Sequence, residues 1–166
     1  MIRYVTASKN QDYFWHWAFR KRITVSIGAT FDQKHNKQSL FSQSMEYSKL
    51  CESIFNLNSD IRYVAVIDDT GLPIVGGMRG GLDSIMDENN EELYLTHTAL
   101  RKSMRERFDD NMGRSRFAYV EREKISILTF YLDKYILLVT MEPNINSHTS
   151  IDIAEDILDM INGKKQ

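Results

Sequence analysis

From Ser44 onward the apolar residues fall into repeating patterns, and before Ser44 they do not. Ser44 is a helix-capping residue type. Behind it Met45, Leu50, Ile54 and Leu57 form an apolar stripe, with Tyr47 and Cys51 beside it. Asn56-Leu57-Asn58-Ser59-Asp60 ends that helix. Arg62 to Ile67 is a short run rich in β-branched residues, which predicts a buried strand. Asp68-Asp69-Thr70-Gly71 is turn chemistry: aspartate carboxylates accept from nearby backbone N–H groups, and glycine tolerates positive φ. Leu72 to Val75 returns as a second strand. Pro73, with no N–H to donate, belongs at its start or on a sheet edge. Gly76-Gly77-Met78-Arg79-Gly80-Gly81 is expected to break that strand, and a polar, acidic loop follows through Asn90.

Glu91 to about Asp110 is the clearest helix. Leu93, His97, Leu100, Met104 and Phe108 recur at helical spacing and are expected to face the core, with His97 as a buried, hydrogen-bonded histidine. Arg101, Lys102 and Arg105 are expected to face away from it. Gly113 is the expected stop. Three strands follow, near Arg116–Val120, Lys124–Tyr131 and Tyr135–Met141, joined by the short polar turns Glu121-Arg122-Glu123 and Leu132-Asp133-Lys134. Ile151, Ala154, Ile157, Leu158 and Ile161 mark a last helix, ended by Asn162-Gly163. The order is α-β-β-α-β-β-β-α. It predicts an α+β domain over residues 45–166, an antiparallel five-stranded sheet with helices on its apolar faces.

Residues 1–44 read differently. The aromatic cluster Tyr13 to Phe19 runs into Arg20-Lys21-Arg22, and neither helical nor strand periodicity persists. This segment holds seven bases and two acids, net +5; the remainder holds 14 bases and 21 acids, net −7. The segment is thus an irregular basic extension, physically distinct from the acidic domain. Its aromatics and bases are of the kind that stack on nucleobases or sit at a membrane interface, and they equally suit a helix docked on the domain. Met45 stands where the regular pattern begins and is a candidate translation start, which would leave residues 1–44 outside the natural protein.

The whole chain of 166 residues carries a net charge of −2, which argues against a dedicated nucleic-acid binder. Cys51 is the only cysteine, so no internal disulfide can form. No apolar run reaches the roughly 18–20 residues of a membrane span, and no signal-peptide stretch opens the chain. These features together give the expectation of a cytoplasmic protein.

Candidate chemistry is sparse. Asp69-Thr70-Gly71 shares its letters with the aspartic-protease triplet, but that reaction needs two aspartates sharing a proton, and no second triplet exists. A hairpin turn accounts for it. Ile74-Val75-Gly76-Gly77 lies within the same hairpin and has no recognisable serine–histidine–aspartate set to serve. His16, His35, His97 and His148 are isolated from one another, so no metal site is expected. Gly76, Gly77, Gly80 and Gly81 would let backbone N–H groups approach an anion, with Arg79 to clamp it, although the loop lacks the lysine of a phosphate loop. Arg101, Lys102 and Arg105 open the densest basic stretch, a surface for an acidic partner or a solvated helix face. No catalytic residue and no cofactor follow from these patterns.

The element order, with a hairpin turn before a glycine-ended second strand, resembles the roadblock family within the profilin-like folds. Four segments look similar to a group of small archaeal proteins of unassigned function: Ile61 to Asp68, Gly76 to Gly81, Ser103 to Asp109 and Leu137 to Pro143. The resemblance implies a fold and a lineage. Roadblock proteins are scaffolds that dimerise by pairing sheet edges or helices and often partner small GTPases. Other members of the topology class hold a small molecule between sheet and helix. The sequence therefore leads to a non-enzymatic adaptor or regulatory module, a homodimer or one bound to a protein partner. The second reading is a small-ligand or anion sensor with a pocket near Gly76–Gly81 and the 91–110 helix.

Overall fold

The chain divides into two units, Met1–Ser39 and Leu40–Gln166. The computed structural model describes residues 33–163, with side chains from Gln43. The readings made of the aromatic and basic residues before Gln33 lie outside the described residues.

Helix α1 spans Gln33–Phe55, and the strands are β1 Ile61–Ile67, β2 Pro73–Met78, β3 Phe117–Arg122, β4 Ile125–Tyr131 and β5 Ile136–Met141. Helix α2 spans Glu88–Glu106, the single turn α3 Asp109–Met112, and α4 Ser147–Ile161. The sheet order is β2-β1-β5-β4-β3, and every neighbouring pair is antiparallel. This confirms the expected five-stranded antiparallel sheet, with α3 as a short addition to the order.

Each central strand is apolar on both sides because helices cover both faces of the sheet. On one face Val64, Val66, Leu128, Phe130, Leu137, Val139 and Met141 pack against Cys51 and Ile54 of α1 and Ile153, Ala154 and Ile157 of α4. On the other, Ile67, Ile125, Ile127, Ile136 and Leu138 pack against Leu95 and Ala99 of α2. The strand period of two delivers these alternating sets from single runs such as Ile136–Met141. Asn146 caps α4 by accepting from His148 N at 2.7 Å and Thr149 N at 3.1 Å. Asp87 caps α2 by accepting from Asn90 N at 3.0 Å.

The hairpin turn is as its residues dictate. Asp68 Oδ1 accepts from the backbone N–H groups of Thr70 and Leu72, both at 2.9 Å, and Gly71 takes φ +90°. That glycine lies so close to the Thr96 backbone of α2 that no side chain would fit.

Three expectations are corrected. Helix α1 does not begin at Ser44, which lies inside it; nothing between Gln33 and Phe55 is glycine or proline, so the helix runs on. Strand β2 is not broken at Gly76: Gly76 pairs with Ala65, Gly77 with Val64 and Met78 with Tyr63. Gly76 manages this at φ +110°, where a Cβ would overlap the Val64 carbonyl oxygen. The third correction concerns α2. Its apolar stripe faces outward, and His97 is exposed with it. Leu95, Thr98, Ala99 and Lys102 face the sheet instead.

Candidate functional site

The reversal of α2 follows from how its polar residues are satisfied. Thr98 donates its hydroxyl to Tyr94 O at 2.9 Å, one turn back on the same helix. Lys102 is buried to its head group, which ends in an ion pair with Glu106 and donates also to Asp133 O at 3.3 Å. Small Ala99 and short Thr98 let the helix sit close to the sheet. The large side chains are left outside. Leu93, Leu100, Met104 and Phe108 are 52–58% exposed, and Met112 of α3 is 82% exposed. An apolar row this long on a surface helix is the usual mark of an interaction face.

The basic trio expected on this helix does not form one surface. Lys102 is buried, which corrects its placing among outward residues. The Arg101 guanidinium lies over the Tyr94 ring at 5.7 Å, and that of Arg105 over the Tyr131 ring at 5.4 Å.

The sheet offers a second surface. Its edges are β2 and β3. Strand β2 is a poor template, with Pro73, two glycines and a register shift beside it. Strand β3 contains neither proline nor glycine and pairs with β4 across all six residues, leaving its outer backbone groups without a ladder partner among the described residues.

Arg79 is held inside the domain. It donates Nε to Ile61 O at 2.6 Å and Nη2 to Phe55 O and Asn58 O, both at 2.7 Å. Its guanidinium also lies 5.1 Å from the Phe55 ring centroid. The arginine thus ties the end of α1 and the turn after it to the first residue of β1. Arg62 pairs with Glu142 and donates to Asp83 O at 3.2 Å. Neither arginine was separable from a surface base in the sequence.

Between α2, the sheet and the 84–86 loop lies an open cavity of about 540 Å³. Its floor is Tyr63, Ile125, Ile127, Leu138 and Thr140; its walls are Met78, Glu91, Tyr94 and Leu95; Ile85 and Met86 overhang it. Gly76, Gly77, Arg79, Gly80 and Gly81 are not among its lining residues, although their neighbour Met78 is. Burial raises the Glu91 carboxyl above the ordinary glutamate range, partly offset by the Ser84 hydroxyl that donates to it at 3.2 Å. Burial also raises the Tyr63 phenol. The sequence placed a candidate pocket near Gly76–Gly81 and the 91–110 helix; Met78 and α2 do line this cavity, but the rest of its lining comes from β1, β3, β4, β5 and two loops, which no local pattern brings together.

Among the described residues no three His, Cys, Asp or Glu side chains gather to hold a metal ion, and no helix is long and apolar enough to cross a membrane. Cys51 is buried on the sheet-facing side of α1, with its thiol pushed up to about 12 by burial.

A five-stranded antiparallel sheet in this order, with two helices on one face and one on the other, defines the chain as a roadblock-like, profilin-like domain. Solved structures carry the same fold. The gliding protein MglB of Thermus thermophilus superposes with a TM-score of 0.56 at 8% identity, covering 84% of this chain and 97% of that one. A structure described as MglB with tetrameric arrangement gives 0.53 at 9% identity, covering 85% and 100%. A Roadblock/LC7 domain of Streptomyces avermitilis gives 0.50 at 9% identity, covering 70% and 94%. The chain itself belongs to a family described as Family of unknown function (DUF6659), which matches residues 42–163. Comparison with curated proteins gave no match.

Proposed function

We propose that this domain is a non-enzymatic adaptor that works as a homodimer, joined through the outer face of α2. The observation that carries the reading is the row Leu93, Leu100 and Met104, turned to solvent on a helix that buries Thr98 and Lys102 instead, and continued by exposed Phe108 just beyond the helix end. Leaving four large apolar side chains in water is costly at about 25 cal/mol per Å² of apolar surface, and association removes that cost. A two-fold axis across α2 would set each row against its copy, as an isologous interface requires. The uninterrupted edge of β3 gives the same dimer a second place to pair. The tetrameric arrangement described for one MglB structure is compatible with a fold that assembles through repeated surfaces.

The test is sedimentation velocity on the full chain from low micromolar to high micromolar concentration. A dimer that persists on dilution supports the reading. A monomer at every concentration contradicts it.

A further inference from the structure

We infer that the cavity between α2 and the sheet is a binding site for a small amphipathic monocarboxylate, with an apolar body on the Ile125–Ile127–Leu138 floor and its carboxylate at the mouth. The volume of about 540 Å³ falls within the roughly 300–1,000 Å³ of small-molecule sites. The floor and walls set the body. Ile125, Ile127, Leu138, Leu95, Met78 and Met86 offer aliphatic and thioether surface, and nothing charged stands on the floor. The two methionines that flank it are flexible and adapt to ligands of varied outline.

The mouth sets the head group. The turn between β3 and β4 brings Arg122, Glu123 and Lys124 to the rim. Arg122 and Lys124 have no ion pair among the described residues, whereas the third base of the lining, Arg62, is committed to Glu142. At the rim itself, two free bases against Glu123 leave a single net positive charge, which one carboxylate neutralises. Glu91 is the remaining acid of the lining, and it is half-buried and held by Ser84. Its burial favours the protonated form, so it opposes a bound carboxylate less than a free glutamate would. The site lies within one protomer and stands independently of the oligomeric reading.

Decanoate and decanol share a chain and differ in the head group, so the pair tests both halves of the inference. The readout is a methyl NMR titration of the full chain. Decanoate should shift the methyls of Met78, Met86, Ile125, Ile127 and Leu138 and bind more tightly than decanol. Reversing the surface charges with Arg122→Glu and Lys124→Glu should weaken decanoate by about tenfold and leave decanol unchanged. Arg122 is the exposed last residue of β3 and Lys124 is exposed in the turn after it, so neither substitution disturbs the core. Methyls unmoved by either probe at millimolar concentration would overturn the site. Shifts confined to other parts of the domain would do the same. Equal affinity for the two probes, or decanoate binding indifferent to the charge reversal, would overturn the ligand class.

Discussion

Single side chains in this domain act by what they satisfy. Arg79 closes three carbonyls with one planar group. An ammonium has no fixed fork, so Arg79→Lys should not substitute for it. We expect Arg79→Lys and Arg79→Met both to lower unfolding free energy by roughly 2–3 kcal/mol, read by urea denaturation. Arg79→Lys with wild-type stability would remove the structural role. Glu91 gives a pH signature. Its folded pKa is raised above the ordinary value of 4.5, so the folded state binds the proton more tightly than the unfolded chain. The stability linked to this group is therefore complete below 4.5 and lost as pH rises through the raised folded value. The groups around it are Glu88 on its own helix, Ser84 in the loop and Tyr63 from β1. Glu91→Gln should abolish that loss: thermal unfolding should find the variant at least as stable as wild type above this range, with the gap closing below it. A variant that is less stable at neutral pH would contradict the sign. Gly76 is the strictest position in the backbone. Gly76→Ala should cost roughly 1–3 kcal/mol for positive φ alone, before its overlap with Val64 O.

At the scale of elements, the sequence was a good guide wherever the signal is local. The Asp68–Gly71 turn, the three-strand meander and the Asn162-Gly163 stop needed only neighbours in the chain, and each lies close to where its residues put it. Two readings failed where the deciding partner is distant. Periodicity located the stripe on α2 but could not tell whether core or solvent receives it. The answer depends on Thr98 and Lys102 finding local acceptors and on Asp133 O arriving from the turn between β4 and β5. Likewise Gly76 and Gly77 looked like a break, and it is pairing with Ala65 and Val64 that keeps β2 extended through them. A pocket beside the 91–110 helix was legible in the sequence, but the floor of the cavity was not, since six elements build it. The outward stripe also makes an element-level prediction. Met104→Glu should leave the secondary structure of each protomer intact, because Met104 lies outside the core of its own chain. A collapse of far-UV circular dichroism in that variant would place Met104 inside the fold instead.

For the whole molecule, the central claim is that two copies meet across α2. The mass of one chain is 19.4 kDa. Sedimentation equilibrium of the full chain, beside Leu100→Glu/Met104→Glu, measures that claim most directly. Two charges set against their own copies across a two-fold axis add like-charge repulsion to lost apolar contact. The expected result is twice the chain mass for the wild-type protein and the single-chain mass for the double variant, with both folded. A wild-type protein at the single-chain mass, or a double variant that remains at twice that mass, would contradict it.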